Sequence, residues 1–490
     1  MTEEKIIRTY AYPCSPNKGK AQKVERVLAE YRKTAQDIAK LQWHEFFRNG
    51  KFNKYLKIKA LNSLLSARYK QTCQWQVVGV LDGYLARVQE EFEKIVHHST
   101  LNQKSKRVLT AINSRKVWFG KDLETISWFE RGDRIDYQVT REEMLLARKI
   151  FKSILRKWRR PRFKRIAMHL DAKVAMVEEN ESSVSFDKWL KLSTLDKGKP
   201  VLIPLKNNAY AEGIDGRYLN FYQVQEEDGD LIVRLVKELE RRDYRPIVPE
   251  IGIDLGLNPL FATDRGDLIG RKFLGFLAKS DDQITKRMAY LQKIGRRPSQ
   301  DKKYSKLVRR LRDFLENEIN RHINRLVELY RPARIVVERL DFRGQNLSRR
   351  MNRLLSRFGK RIVGEKLKSL QELYGIEIVE TNPAYSSQEC ASCGYIDEKN
   401  RKNTHGFECQ ACGRKRNAQV NAARNILRRR SVEGITVRTP KKQVLEVLVK
   451  RHLERLRGWR SAPLRVLKEN PYYRDLRDFL DGLSKPLECG

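Results

Sequence analysis

The sequence is short of acid. Across 490 residues, 61 Asp and Glu stand against 101 Lys and Arg, leaving a net charge of +40. A surplus of that size calls for a polyanionic partner, and nucleic acid fits it better than an anionic membrane. No run approaches the ~18 apolar residues of a membrane span. The N-terminal Met1-Thr2-Glu3-Glu4-Lys5 has no signal-peptide pattern. Cysteine is scarce, and four of the seven fall into one metal-ligand pattern. That usage fits a reducing cytosol and speaks against a secreted disulfide framework. Proline is absent from Lys18 to Arg160, which favours a mostly helical block there. No internal repeat of fixed period is present.

The four patterned cysteines are Cys390, Cys393, Cys409 and Cys412, spaced C-x2-C, fifteen residues, C-x2-C. Two such knuckles read as a zinc ribbon. Four thiolates close a tetrahedral structural site and leave no position for substrate. His405 lies between the knuckles, but four thiolates leave it no place as a ligand. Cys14, Cys73 and Cys489 read as inert.

Along the chain, residues 6–14 alternate as a strand does. From about 20 to 100 the apolar residues recur at helical spacing, as in Val24, Val27, Leu28 and Tyr31. Trp43, Trp75, Trp118 and Trp128 fall in the proline-free block and read as helix core, with one or two left to stack on exposed bases. The densest basic run follows: Arg156, Lys157, Trp158, Arg159, Arg160, Pro161, Arg162, Phe163, Lys164 and Arg165. Its cations suit phosphates, and its two aromatics suit bases or sugars. Residues 166–250 change to short strand-like runs separated by Gly, Asn and Asp turns. They read as a small β-domain, in the form of a barrel, whose sheet the N-terminal strand can join across the inserted helical block.

Two later strands each carry an acid. Ile251-Gly252-Ile253-Asp254-Leu255-Gly256 is followed by a hairpin turn at Asp264-Arg265-Gly266-Asp267. A long amphipathic helix over about 303–330 then leads to Ile335-Val336-Val337-Glu338-Arg339-Leu340-Asp341. A carboxylate on a central strand is costly unless paired or bound to metal. Two acidic strands linked through a helix are what a ribonuclease-H-like core needs, where paired carboxylates hold Mg²⁺ for phosphodiester cleavage.

Here the chain resembles a family. Gly252 to Gly256, Val337-Glu338, Asn346 to Asn352 (with Arg349 and Arg350), Asn382 to Cys390, the ribbon, and Asn421-Ala422-Ala423-Arg424-Asn425-Ile426 occur in the order seen in the transposon-encoded TnpB proteins and the compact type V CRISPR effectors. The resemblance is specific from about 246 to 427 and architectural before that. It implies a multidomain α+β protein: a β-barrel wedge (1–15 and 160–248), an inserted helical recognition lobe (16–159), a RuvC-like α/β domain (249–388 and 414–430), a zinc-ribbon insertion (389–413) and a basic helical tail (431–490). It implies guide RNA and target double-stranded DNA as partners, no membrane, structural Zn²⁺, Mg²⁺ where the RuvC-like site is occupied, and a prokaryotic cytoplasmic location. It leaves open whether one or two subunits sit on the RNA.

The resemblance also exposes a departure. Asp254 and Glu338 match the first two metal-binding acids. The third should precede Val-Asn-Ala-Ala, where this chain has Gln419, with Asn417 two residues earlier. Glutamine keeps a carbonyl acceptor and loses the charge that Mg²⁺ sites rely on. The leading expectation is RNA-guided DNA binding with impaired cleavage. Its competitors are a working endonuclease whose third acid comes from Asp397, Glu398, Asp475 or Asp478, a slow nickase or guide-RNA-trimming enzyme, and a guide-free, transposase-like zinc-ribbon DNA binder. Beyond Arg428 the pattern fades. Residues 441–457 read as a basic amphipathic helix that could dock on the core, contact RNA or self-associate.

Overall fold

The computed structural model describes residues 5–476, apart from 59, 120–124, 131–132, 180–185, 228–229, 339–347, 404 and 457–463. The chain divides into two compact units, residues 1–240 and 241–490.

The first unit opens with β1 (Ile6–Pro13), then α1 (Lys18–Asn49), α2 (Ala67–His98) and α3 (Gln103–Arg115). Each of these helices starts on a polar cap, as Asn17 accepts from the Lys20 N–H and Ser66 from the Tyr69 N–H. Gly50, at φ 74°, ends α1 in the left-handed conformation that glycine tolerates best. The block is less helical than the missing proline suggests. A hairpin of β2 (Thr125–Glu130) and β3 (Asp133–Gln138) interrupts it before α4 (Arg141–Lys157). Trp128 lies on this hairpin, half-buried, while Trp43 and Trp118 are buried. Trp118 stacks on Phe151 with ring centroids 4.4 Å apart.

Strands β4 (Met168–Asp171), β5 (Ala175–Glu179), β6 (Lys188–Leu192) and β7 (Val201–Leu205) follow, then a short α5 (Ala209–Glu212), β8 (Arg217–Glu227) and β9 (Asp230–Leu239). They form two sheets, β1-β9-β8-β4 and β5-β6-β7. Strand β1 pairs antiparallel with β9 from Ile6–Leu239 to Pro13–Ile232, so residues over 200 positions apart share a sheet. One apolar cluster runs from the helices into both sheets.

The second unit is built on one mixed sheet. Strands β10 (Val248–Leu255), β11 (Phe261–Thr263) and β12 (Leu268–Ile269) form an antiparallel meander. Helices α6 (Phe273–Lys293) and α7 (Lys302–Tyr330) lead to β13 (Pro332–Glu338), and α8 (Arg349–Tyr374) leads to β14 (Glu377–Thr381). The sheet order is β12-β11-β10-β13-β14, with β10, β13 and β14 parallel. Parallel neighbours need crossovers, and the helices provide them. Leu311, Leu315, Ile319, Ile323 and Leu326 of α7 are buried in this unit's core.

A small hairpin of β15 (Gly406–Glu408) and β16 (Lys415–Asn417) runs directly into α9 (Ala418–Arg429), followed by α10 (Lys441–Leu456) and α11 (Leu464–Glu469). Val444, Leu448, Leu453 and Tyr473 share a core cluster with Cys390, Cys393, Tyr395 and Phe407. The tail, whose role the sequence leaves open, therefore docks on the cysteine-bearing segment. No described helix is long and apolar enough to cross a membrane.

Candidate functional site

Strand register brings the two acids together. Ile253 of β10 pairs with Val337 of the parallel β13, so Asp254 and Glu338 are the next residues on adjacent strands. Burial, and then the Glu338 carboxylate, push the Asp254 carboxyl well above the usual carboxylate range, and the Arg401 guanidinium opposes them. Ser386 donates its hydroxyl to Glu338 Oε2 at 3.2 Å. Arg401 was not singled out by sequence reasoning, because no local pattern announces it, and Ser386 was legible only as part of the Asn382 to Cys390 landmark, with nothing local to mark its contact with Glu338.

Helix α9 lies across β10. A side chain on Gly252 would meet the Ala423 carbonyl oxygen at 2.6 Å and Leu427 Cβ at 2.7 Å, so only glycine permits this approach. Asn417 caps α9, its Oδ1 accepting from the Gln419 and Val420 N–H groups. That use occupies the Asn417 side chain in helix capping. Gln419 is 6% exposed. Its Nε2 donates to the Asn258 carbonyl at 3.0 Å, and its Oε1 is buried with no hydrogen-bond partner. The carbonyl contact fixes which end of the amide faces Asn258 and leaves the orphan as an acceptor.

The acids suggested as replacements are engaged elsewhere or lie outside what is described. Asp397 accepts the Tyr395 hydroxyl at 2.9 Å, and Glu398 accepts the Tyr472 hydroxyl at 2.8 Å. Asp475 lies in a short 3-10 turn and its side chain is not described, while Asp478 lies outside the described residues. Among the described residues, the one cluster of three or more Cys, His, Asp or Glu side chains able to hold a metal is the cysteine set.

In that set, the Sγ atoms of Cys390, Cys393, Cys409 and Cys412 lie within 4.8 Å of one another. Cys390–Cys412 are 3.8 Å apart and Cys393–Cys409 3.6 Å. Tetrahedral bonds of ~2.3 Å to zinc put sulfurs roughly 3.8 Å apart, so the thiols could hold such an ion. Gly394 and Gly413, at φ 89° and 67°, close the two knuckles. Their N–H groups donate to the Cys390 and Cys409 carbonyls at 2.8 and 2.9 Å. His405 is exposed, is absent from the cluster, and receives the Ala418 N–H on its carbonyl.

The Asn-Ala-Ala-Arg-Asn segment ties this module to the sheet. Asn421 accepts the Ala391 N–H and donates to the Glu389 carbonyl. Asn425 donates to the Ser386 and Glu389 carbonyls. Arg429, 2% exposed, pairs with Glu389 at 2.7 Å.

The basic run is exposed at all seven cations: Arg156, Lys157, Arg159, Arg160, Arg162, Lys164 and Arg165. Of its two aromatics, burial withdraws Phe163 from base stacking. Phe163 is wholly buried, and Trp158 is half-buried with its carbonyl taken by the Tyr84 hydroxyl. The apolar rings anchor the run to the core beneath it. Arg160 lies over the Trp43 ring at 4.6 Å. In the second unit Arg349 is exposed, whereas Arg350 is half-buried against Tyr304.

Comparison with known proteins adds a finding over part of this region. Residues 362–426 match the family model described as Cas12f1-like, TNB domain, a span holding the four cysteines and Gln419 but neither Asp254 nor Glu338. The CRISPR-associated endodeoxyribonuclease Cas12f1 of Sulfoacidibacillus thermotolerans is 45% identical over 62 residues, 13% of this chain and 15% of that protein. The putative RNA-guided DNA endonuclease InsQ of Escherichia coli (strain K12) is 45% identical over 53 residues, 11% of this chain and 13% of that protein. The chain thus spans about one-seventh of the length of the curated relatives it matches. Among solved structures, the Cas12f1-sgRNA-target DNA complex is 13% identical with a TM-score of 0.40, covering 86% of this chain and 98% of that one. The mini-RNA-guided endonuclease CRISPR-Cas_phi3 is 12% identical with a TM-score of 0.44, covering 87% and 92%. In this C-terminal stretch the chain is similar to compact type V CRISPR effectors and TnpB-like proteins.

Proposed function

We propose that this protein is an RNA-guided, double-stranded-DNA-binding effector of the compact type V kind, with a RuvC-like site impaired for cleavage. Guide RNA would read the target by base pairing, while the protein holds backbone shape and a short flanking motif. The charge of +40 is what an RNA scaffold and a heteroduplex together require. The same reading takes residues 1–15 and 160–248 as a wedge, 16–159 as a recognition lobe, and 249–388 with 414–430 as the nuclease-like domain.

The observation that carries the impairment is Gln419, a neutral side chain tied to the Asn258 carbonyl at the helix end facing the acid-bearing strand. Asp254 and Glu338 are donors suited to one Mg²⁺. Two ions sharing a phosphate would need a further carboxylate. A bound Mg²⁺ would supply Lewis acidity at the scissile phosphate. The chain's own residues would contribute the acid pair, with Ser386 orienting Glu338 and Arg401 offsetting the repulsion between the acids.

A second reading, slow nicking, is favoured by the orphan Gln419 Oε1, a carbonyl oxygen left able to face a cation. The relocated-acid reading is weakened by the tyrosine partners of Asp397 and Glu398.

The test is to purify the protein from cells carrying its native locus and to sequence the RNA that accompanies it. A discrete RNA with a constant scaffold and a variable segment, followed by guide-dependent capture of matched DNA without a cut, is the expected result. Recovery of random cellular RNA, with DNA binding indifferent to ribonuclease, would move the guide-free reading to the front.

A further inference from the structure

The tail brings a histidine to the cysteine site. His452 of α10 is 1% exposed. Its Nδ1 lies 3.0 Å from the Tyr473 hydroxyl, while its Nε2 is buried with no hydrogen-bond partner among the described residues. A buried polar atom left this way is costly until something pairs with it. We propose that His452 is a positioning residue of the metal site. Its Nε2–H donates to the metal-bound thiolate of Cys390, so that the tail helix completes the surroundings of the ion.

The hydrogen bonds around the ring fix its tautomer. The Tyr473 hydroxyl accepts the Ile396 N–H at 3.3 Å, which leaves its own proton for a second partner. Giving that proton to His452 Nδ1 satisfies both groups and puts the ring hydrogen on Nε2. The opposite tautomer would bury two orphans, the phenol proton and the Nε2 lone pair, and is the costlier of the two. The unpartnered atom is therefore a donor in need of an acceptor.

The ring lies on the turn that follows the first knuckle. Its centroid is 5.7 Å from that of Tyr395. A Cβ on Gly394 would lie 3.8 Å from His452 Cδ2, the carbon bonded to Nε2, and 2.9 Å from Arg455 Nη1. Carbonyls on this turn are already in use. That of Cys390 accepts the Gly394 N–H, that of Tyr395 the Cys390 N–H, and that of Ile396 the Asn470 amide. Sulfur is the acceptor with capacity to spare. Cys390 Sγ takes the Ser392 N–H at 3.4 Å and has room for another donor. It also acts on the imidazole electrostatically, opposing the burial and the Arg455 guanidinium that disfavour a charged ring. Four thiolates over-neutralise one Zn²⁺, and donors aimed at the sulfurs offset the surplus negative charge and hold the ligands in place. The inference rests on the zinc reading of the ribbon and is independent of guide RNA.

The test uses the full chain, loaded with a spin-active isotope of cadmium in place of zinc and carrying isotope-labelled histidine. One Nε2–H resonance, absent from the His452→Gln chain, should show coupling to the cadmium nucleus, because such coupling passes only along an N–H···S–metal path. A metal-loaded chain in which His452 lacks that coupling, or carries no proton on Nε2, would overturn this inference alone. A chain that takes up no metal at the four cysteines would overturn the zinc reading and this inference with it. Affinity gives a second readout. His452→Phe keeps the bulk of the ring and should hold zinc about tenfold more weakly against a chelator, the usual effect of removing an outer partner. His452→Gln, which can present an amide N–H close to where Nε2 lies, should lose less. Resistance of residues 441–473 to protease separates loss of the bond from loss of docking. Unchanged zinc affinity in a His452→Phe chain whose tail stays docked would overturn the proposal. Should that tail undock, the coupling in the parent chain decides.

Discussion

Gly252 and Ala423 touch backbone to backbone. The space a Cβ would need at Gly252 is filled by the Ala423 carbonyl, 2.6 Å from where that atom would lie. This contact seats α9 on β10 and brings Gln419 to the end of the strand that carries Asp254. Gly252→Ala should therefore push the helix away at a cost of roughly 1–3 kcal/mol, the usual penalty of an overpacked core. Thermal unfolding would show the loss. A variant as stable as the parent would mean that the helix yields without cost.

Gln419→Asp tests the missing ligand. Guided complexes of the variant should show Mg²⁺-dependent cleavage of matched DNA at least about tenfold above the parent, about 1.4 kcal/mol in barrier. Aspartate is one methylene shorter and gives up the bond to the Asn258 carbonyl, so some loss of stability is expected alongside. Normal DNA binding with no gain in cutting would place the defect elsewhere than in the third ligand.

The sequence showed the acid pair and the ribbon clearly because both are local. An apolar strand with one acid, and cysteines at knuckle spacing, carry their chemistry within a few residues. Asn417 was legible only as a non-acid, and its role as the cap of α9 shows only in the fold. The hairpin Thr125–Gln138 was missed because absence of proline permits helix without requiring it. Phe163 looked available in a cationic run, but its burial is decided by residues far away in sequence, such as Gln36, whose Oε1 accepts the Phe163 N–H at 3.4 Å. The contact of Arg416 with Ser392 was illegible for the same reason: the two meet across 24 positions.

Cys390→Ser should lower zinc content and also loosen the tail. Leu448, Leu453 and Tyr473 pack in one cluster with the knuckle residues, so a ribbon that loses its shape removes their support. Structural zinc contributes folding energy locally. Metal analysis should show less than one zinc per chain, and limited proteolysis should cut within 441–473 sooner than in the parent. A tail that stays protected after zinc is lost would show that it folds without the ribbon.

Asp254→Asn bears on the acid pair through pH. In the folded chain the Asp254 carboxyl is held above its ordinary value by burial and by Glu338. The native state therefore keeps a proton that the unfolded chain releases, and stability falls as pH rises from the ordinary carboxyl value through the raised one. Asparagine carries no such charge, so the variant should be more stable than the parent at neutral pH and the advantage should vanish in acid. The measurement is thermal unfolding without divalent metal across that range. Adding Mg²⁺ at neutral pH should raise the parent's midpoint and leave the variant's nearly unchanged, because the ion stabilises only the ionised pair. A variant less stable than the parent at neutral pH would mean that the Asp254 charge is already compensated, with Arg401 the first residue to examine.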